Sequence, residues 1–146
     1  MGRNTLSLNT KNIEDLITKL DGIGDDVQKV VTDALEQAAE TITDDTLEVI
    51  SDQYLPAHGK YHGKDGDTEN SVVRNSKVTW VGGMASIPVG FDYDKPGAGG
   101  YLISGRPDMS PDVKLNQMYT GKKYMRQIEK DMVEVINDEI VRKMDA

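Results

Sequence analysis

The first apolar alternation along the chain, Leu6-Ser7-Leu8, has the two-residue period of an edge strand. Directly after it, Ile13, Leu16, Ile17 and Leu20 recur at i, i+3, i+4 and i+7, the spacing of one helical face. Asn12 is placed to cap that helix and Gly22 to end it. Asp25-Asp26 then opens a second segment, with carboxylates at the positive end of a helix dipole. Val27, Val30, Val31, Ala34, Leu35, Ala38, Ile42, Val49 and Ile50 form its stripe, which predicts a helix of about 25 residues. Ala34, Ala38 and Ala39 keep that face shallow enough for close packing, and the acidic residues fall on the opposite, solvated side. The helix should stop near Tyr54-Leu55-Pro56, because proline disfavours helical geometry in the residue before it.

Residues 57–70 lack apolar periodicity and are rich in Gly, His, Lys and Asp, so a long exposed loop is expected there. The strands 77–81 and 84–91 then flank Gly82-Gly83, a dipeptide suited to the positive φ angles of a two-residue hairpin turn. Pairing outward from the turn sets Val81 opposite Met84, Trp80 opposite Ala85, Thr79 opposite Ser86 and Val78 opposite Ile87. Val78, Trp80, Ala85, Ile87, Val89 and Phe91 therefore share one face, where alternating aromatics signify core rather than ligand. Pro88 has no N–H to give towards Lys77, so the two-strand ladder should break or bulge at that point. Residues 92–100 are glycine-rich loop, Tyr101-Leu102-Ile103-Ser104 is a further strand candidate, and a second irregular stretch runs through Arg106-Pro107 and Ser110-Pro111. A closing helix is predicted over 119–144, with Met125, Ile128, Met132, Val135, Ile136 and Ile140 on one face.

The order of helices, strands and helix predicts an α+β domain, with N-terminal helices and a C-terminal helix packed on a small antiparallel sheet. At 146 residues a single domain over 1–146 is expected, with exposed loops at about 55–70 and 92–100.

Charge narrows the function. Seventeen Lys and Arg stand against 25 Asp and Glu, a net charge of -8, and only 5% of residues are aromatic. Such a surface has little affinity for a phosphate backbone and few rings for base stacking, so no specific nucleic-acid recognition is expected. The absence of cysteine removes disulfides, thiolate zinc sites and cysteine nucleophiles, and fits synthesis in a reducing cytosol. No apolar run approaches the length that spans a bilayer and the start lacks a signal peptide's apolar stretch, so neither membrane association nor export is expected.

The layout resembles that of the siphophage tail-completion or head-tail joining family, in which a helical pair precedes a small sheet interrupted by long loops and a closing helix. That family carries a Thr-Gly-x-Leu-x-x-Ser stretch after its long helix. Here Asp65-Gly66-Asp67-Thr68-Glu69-Asn70-Ser71 keeps the glycine and the serine without the threonine and leucine. Tyr101-Leu102-Ile103-Ser104-Gly105-Arg106 is similar to the family's Tyr-x-x-x-Gly-Thr segment, with Arg106 in place of threonine. Lys123-Tyr124-Met125-Arg126 is similar to its Pro-Phe-Leu-Arg opening of the last helix, without the proline. The resemblance implies a non-enzymatic particle subunit that forms a homo-oligomeric ring at the neck or head-proximal tail end, beside phage head, connector or tail proteins. It also implies host cytoplasm as the place of assembly and the virion as the destination, and related minor capsid proteins share the layout. Lys60, Tyr61, Lys64, Tyr101 and Arg106 are the interface residues expected on this reading, Tyr61 as an anchor and the two lysines against an acidic helix surface.

Candidate chemistry is sparse. His58 and His62 are spaced i, i+4 with Asp65 nearby, which on a helix would converge on zinc and suggest a metal-dependent hydrolase or nuclease. The spacing falls in a glycine-punctuated loop, however, and lacks the internal glutamate of His-Glu-x-x-His. Asp65-Gly66-Asp67-Thr68-Glu69 lacks the ligand spacing and distal glutamate of a calcium loop. Gly97, Gly99 and Gly100 are not followed by the Gly-Lys-Ser/Thr of a phosphate loop. No catalytic residue, metal or cofactor is therefore expected.

Overall fold

The computed structural model describes residues 4–53, 70–74, 76–92, 94–95, 103 and 113–144. Strand β1 (Asn4–Asn9) leads through one turn of 3-10 helix (Thr10–Ile13) into α1 (Glu14–Gly22) and α2 (Val27–Gln53). The hairpin of β2 (Thr79–Val81) and β3 (Met84–Val89) follows, and then α3 (Val113–Tyr119) and α4 (Lys122–Met144). The class is α+β, with helices packed on a three-strand antiparallel sheet of order β1-β3-β2.

Local chemistry sets the helix ends. Asn9, not Asn12, caps the first turn: its Oδ1 accepts the Lys11 N–H at 3.0 Å, and the chain passes through 3-10 geometry before α1 begins at Glu14. Beyond α1, Gly24 takes φ +74°, and the Asp25 and Gly24 amides return to the Leu20 and Asp21 carbonyls, the paired bonds that close a helix with a left-handed residue. Asp26 starts α2, its Oδ1 accepting the Lys29 N–H at 3.2 Å. α2 is described as far as Gln53, and Tyr54-Leu55-Pro56, where the sequence places its end, lies outside the described residues.

The hairpin register is the one the sequence predicts over Val81↔Met84, Trp80↔Ala85 and Thr79↔Ser86. Pairing then lapses and resumes as an isolated bridge between Val72 and Phe91. Six residues, 73–78, thus pass the four residues 87–90, which is the expected bulge beside Pro88. The Thr10 amide donates to the Gly83 carbonyl, so odd residues of β3 turn their backbone towards β1. The Val73 amide donates to the Gly90 carbonyl, so even ones turn towards β2. Pro88 therefore aims its missing N–H into the gap, where nothing is lost.

Two expectations need correction. Ile103, the one described residue of the 101–104 segment, has helical backbone and is buried, so it does not extend the sheet. Both sides of β3 are already taken, by β1 on one and by β2 with Val72 on the other, and the Ile103 carbonyl instead accepts from Asn116 Nδ2 at 2.8 Å. The closing helix starts at Lys122, three residues later than expected, and a separate short helix, α3, precedes it. Thr120 turns its amide and its hydroxyl back to the Asn116 carbonyl, and at Gly121 a Cβ would lie 2.5 Å from the Gln117 carbonyl oxygen, a place only glycine fills without movement.

One core lies between the sheet and the helices. Leu35 and Ala38 of α2, Ile136 and Met132 of α4, and Leu6, Leu8, Ala85 and Ile87 of the sheet pack together, with Val78 and Trp80 at the margin. Burying side chains of this size contributes roughly 1.5 to 3 kcal/mol each against leaving them exposed. A second cluster joins Ile50, Val72, Phe91, Ile103, Leu115 and Met118, and Tyr119 and Tyr124 touch both.

Candidate functional site

Lys60, Tyr61, Lys64, Tyr101 and Arg106, and likewise His58, His62 and Asp65, lie outside the described residues, as do the glycines at 97, 99 and 100. Ser71, the serine of the family-like stretch, is 3% exposed, and its carbonyl accepts the Asp92 amide at 2.7 Å, so it is part of the sheet margin. Tyr124 lies in the first turn of α4, half-buried, where its hydroxyl donates to Asp45 Oδ2 at 2.7 Å. Among the described residues no three metal-ligating side chains gather, and no helix is long and apolar enough to cross a membrane.

What the described residues do form is three surfaces. The first is the outer face of the sheet. None of the three strands contains a charged residue, although 29% of the chain is charged. Alternation turns Leu6, Leu8, Ala85, Ile87 and Val89 inward and leaves Thr5, Ser7, Thr79, Val81, Met84 and Ser86 on the outside. Ser7 and Ser86 pair across the strands, Oγ to Oγ, at 3.0 Å. Val81 and Met84, beside the turn, are 75% and 41% exposed, so the polar strip ends in an apolar tip.

A second surface is the cleft that the bulge at Pro88 opens against α2. It encloses about 420 Å³, with Ala39, Leu47, Val73, Ile87 and Pro88 as apolar lining. Thr43 Oγ1 lies 3.2 Å from the Val73 carbonyl and 3.0 Å from that of Ala39, holding the arching segment to the helix. Glu36, Glu40 and Asp44, successive turns of α2, form one rim, and Arg74 stands in the lining with them.

The third surface is the elbow between α3 and α4. A cleft of about 640 Å³ lies there over Val49, Met118 and Tyr124, bordered by Lys114, Lys122 and Lys123. Gly121 makes the elbow tight, and all three lysines are exposed. Between Val113 and Lys130 the only acid is Glu129, against Lys114, Lys122, Lys123, Arg126 and Lys130.

Where α2, α3 and α4 meet, the polar groups are matched. Thr46 is fully buried, with its Oγ1 2.7 Å from the Ile42 carbonyl and 2.6 Å from the Tyr119 hydroxyl. Burial foremost, and then the hydrogen bond to Asp45, raise the Tyr124 phenol well above the usual tyrosine range, so it stays a neutral donor. These groups hold helices in place and present no nucleophile or base to solvent.

The sheet-face alternation was visible in the sequence, whereas the two clefts were not, since each joins residues distant along the chain. In comparisons with protein-family models, curated proteins and solved structures, nothing matches this chain.

Proposed function

We propose that this chain is a structural, non-enzymatic subunit of a tailed bacteriophage particle, working by assembly into a ring at the junction of head and tail. The observation that carries the reading is the charge-free outer face of the sheet. On a chain with net charge -8, a solvent-facing sheet side would ordinarily carry some of that charge. A surface that must be covered gains from having none, because burying an unpaired charge costs far more than burying a hydroxyl or a methyl group. Depletion of charge is the compositional mark of interface cores. The family-like layout supplies the context: an α+β subunit with long segments between α2 and β2 and between β3 and α3. An acidic subunit also suits a conduit that DNA must pass without being gripped.

The test is made in the phage or prophage that encodes the chain. Mass spectrometry of purified particles should find the protein, and deleting its gene should leave filled heads and finished tails unjoined. Complementation with Val81→Glu/Met84→Glu should fail although that variant folds. Particles that lack the protein, or that join normally without its gene, would sink the proposal.

A further inference from the structure

From the charge pattern of α2 and the α3–α4 elbow we infer that two copies of the chain meet head to tail, the elbow of one seating its lysines on the acidic cleft of the next. This contact deepens the assembly reading above and rests on it. The two surfaces belong to one molecule, differ in kind and match in charge. One is the cleft rimmed by Glu36, Glu40 and Asp44; the other is the corner bearing Lys114, Lys122 and Lys123. None of these six side chains is in an ion pair among the described residues, and all are exposed. Arg74, also in the lining of the acidic cleft, has a partner within its own chain, and three carboxylates outnumber it.

A second observation is independent of the first. Helices favour acids in the first turn and bases in the last, because the peptide dipoles sum to a positive N-terminus and a negative C-terminus. At its N-terminus α4 does the reverse, although its last turn, with Arg142 and Lys143, follows the rule. α4 opens with Lys122 and Lys123 and has no acid in its first turn. Charges set against their own helix are local conflicts, and such conflicts concentrate where function requires them. The positive pole of α4 adds to the field of Lys122 and Lys123, so the elbow is more positive than the side chains alone would make it.

A second copy fits better than an unrelated partner because each surface finds its complement on the same chain. Two unlike patches make a heterologous contact, which continues from copy to copy and closes into a ring when the rotation allows. The apolar floors, Ala39, Leu47 and Ile87 on one side and Val49 and Met118 on the other, add area that leaves water when the charges meet.

The experiment uses the full chain in analytical ultracentrifugation. Wild type should self-associate, and raising ionic strength should weaken the association through screening. Lys122→Glu/Lys123→Glu and Glu40→Lys/Asp44→Lys should each be monomeric, with the contact weakened roughly tenfold or more and the circular dichroism unchanged. Mixing the two reversed variants sets the acidic elbow of one against the basic cleft of the other and leaves a native elbow facing a native cleft at the alternate contact, so a mixed species should form; a mixture that stays monomeric overturns the contact. Combining all four substitutions in one chain should restore self-association. A wild type that stays monomeric at every concentration overturns the contact, as does association that survives both reversals or a four-fold variant that stays monomeric. The particle reading fails separately, if the protein is missing from virions while the charge-swap pattern holds.

Discussion

The Tyr124 hydroxyl donates to Asp45 Oδ2 at 2.7 Å, tying the first turn of α4 to the middle of α2. Removing it with Tyr124→Phe strands a half-buried carboxylate, and the loss should be about 1 to 2 kcal/mol at neutral pH, as for a hydrogen bond to a charged acceptor. The pH dependence has a definite sign. The phenol's pKa is raised on folding, so its contribution is fully present below about pH 10, its unfolded value, and fades as pH climbs towards the raised folded value. Urea unfolding of both proteins at about pH 7 and pH 10.5 should show the gap between them narrowing. An equal gap at both pH values would mean that the hydroxyl plays no part.

Trp80 is half-buried at the core margin, and its Nε1 donates to Thr32 Oγ1 at 3.1 Å across the sheet–helix interface. Trp80→Ala should cost about 2 to 3 kcal/mol, less than for a fully enclosed ring. Because it is the only tryptophan, native emission reports its surroundings directly and should lie to the blue of the unfolded chain. Emission identical in the two states would reverse the face assigned to β2.

Gly121 has a Gln117 carbonyl oxygen 2.5 Å from where a Cβ would sit. Gly121→Ala should therefore force the elbow open at a cost of about 1 to 3 kcal/mol, readable as a lowered melting temperature. Gly22, around which nothing lies within 4 Å, is the control: Gly22→Ala should leave stability unchanged or slightly raised.

On the outer sheet face, Val81→Glu/Met84→Glu should alter stability by no more than about 1 kcal/mol, since neither side chain is buried. Thermal melts of the purified variant measure this independently of any particle assay. A large loss would show that the tip packs on something within its own chain.

Alternation and turn chemistry made the hairpin readable: Gly82-Gly83 fixes the register, and everything from Thr79 to Ser86 follows from it. The long stripe through Leu35 and the one through Ile136 were equally plain, because a helix long enough to repeat its face several times states its period clearly. Short or interrupted elements were less so. α3 carries too few apolar residues to declare a period, and the break at Thr120 depends on a hydroxyl turning back to Asn116, which no pattern of apolar residues encodes. Ile103 stands in an apolar run as a strand residue would, and nothing in that run distinguishes its helical backbone from a strand. The acidic cleft had one legible sign, Pro88, whose missing N–H foretold the bulge; that α2 would lie across the opening was a matter of tertiary packing.

The partnership of β1 with β3 also sets an order of events at the ribosome. Ser7 and Ser86 lie side by side in the sheet yet are 79 residues apart in the chain. At about 5 to 20 residues per second, synthesis takes roughly 4 to 16 s to deliver the partner strand. The β2–β3 hairpin, by contrast, closes within about 1 to 10 μs of emerging. For those seconds Leu6 and Leu8 have no sheet to join, so the nascent chain carries its N-terminal apolar pair exposed, a natural stretch for a holding chaperone, until β3 arrives and the sheet closes in one late step.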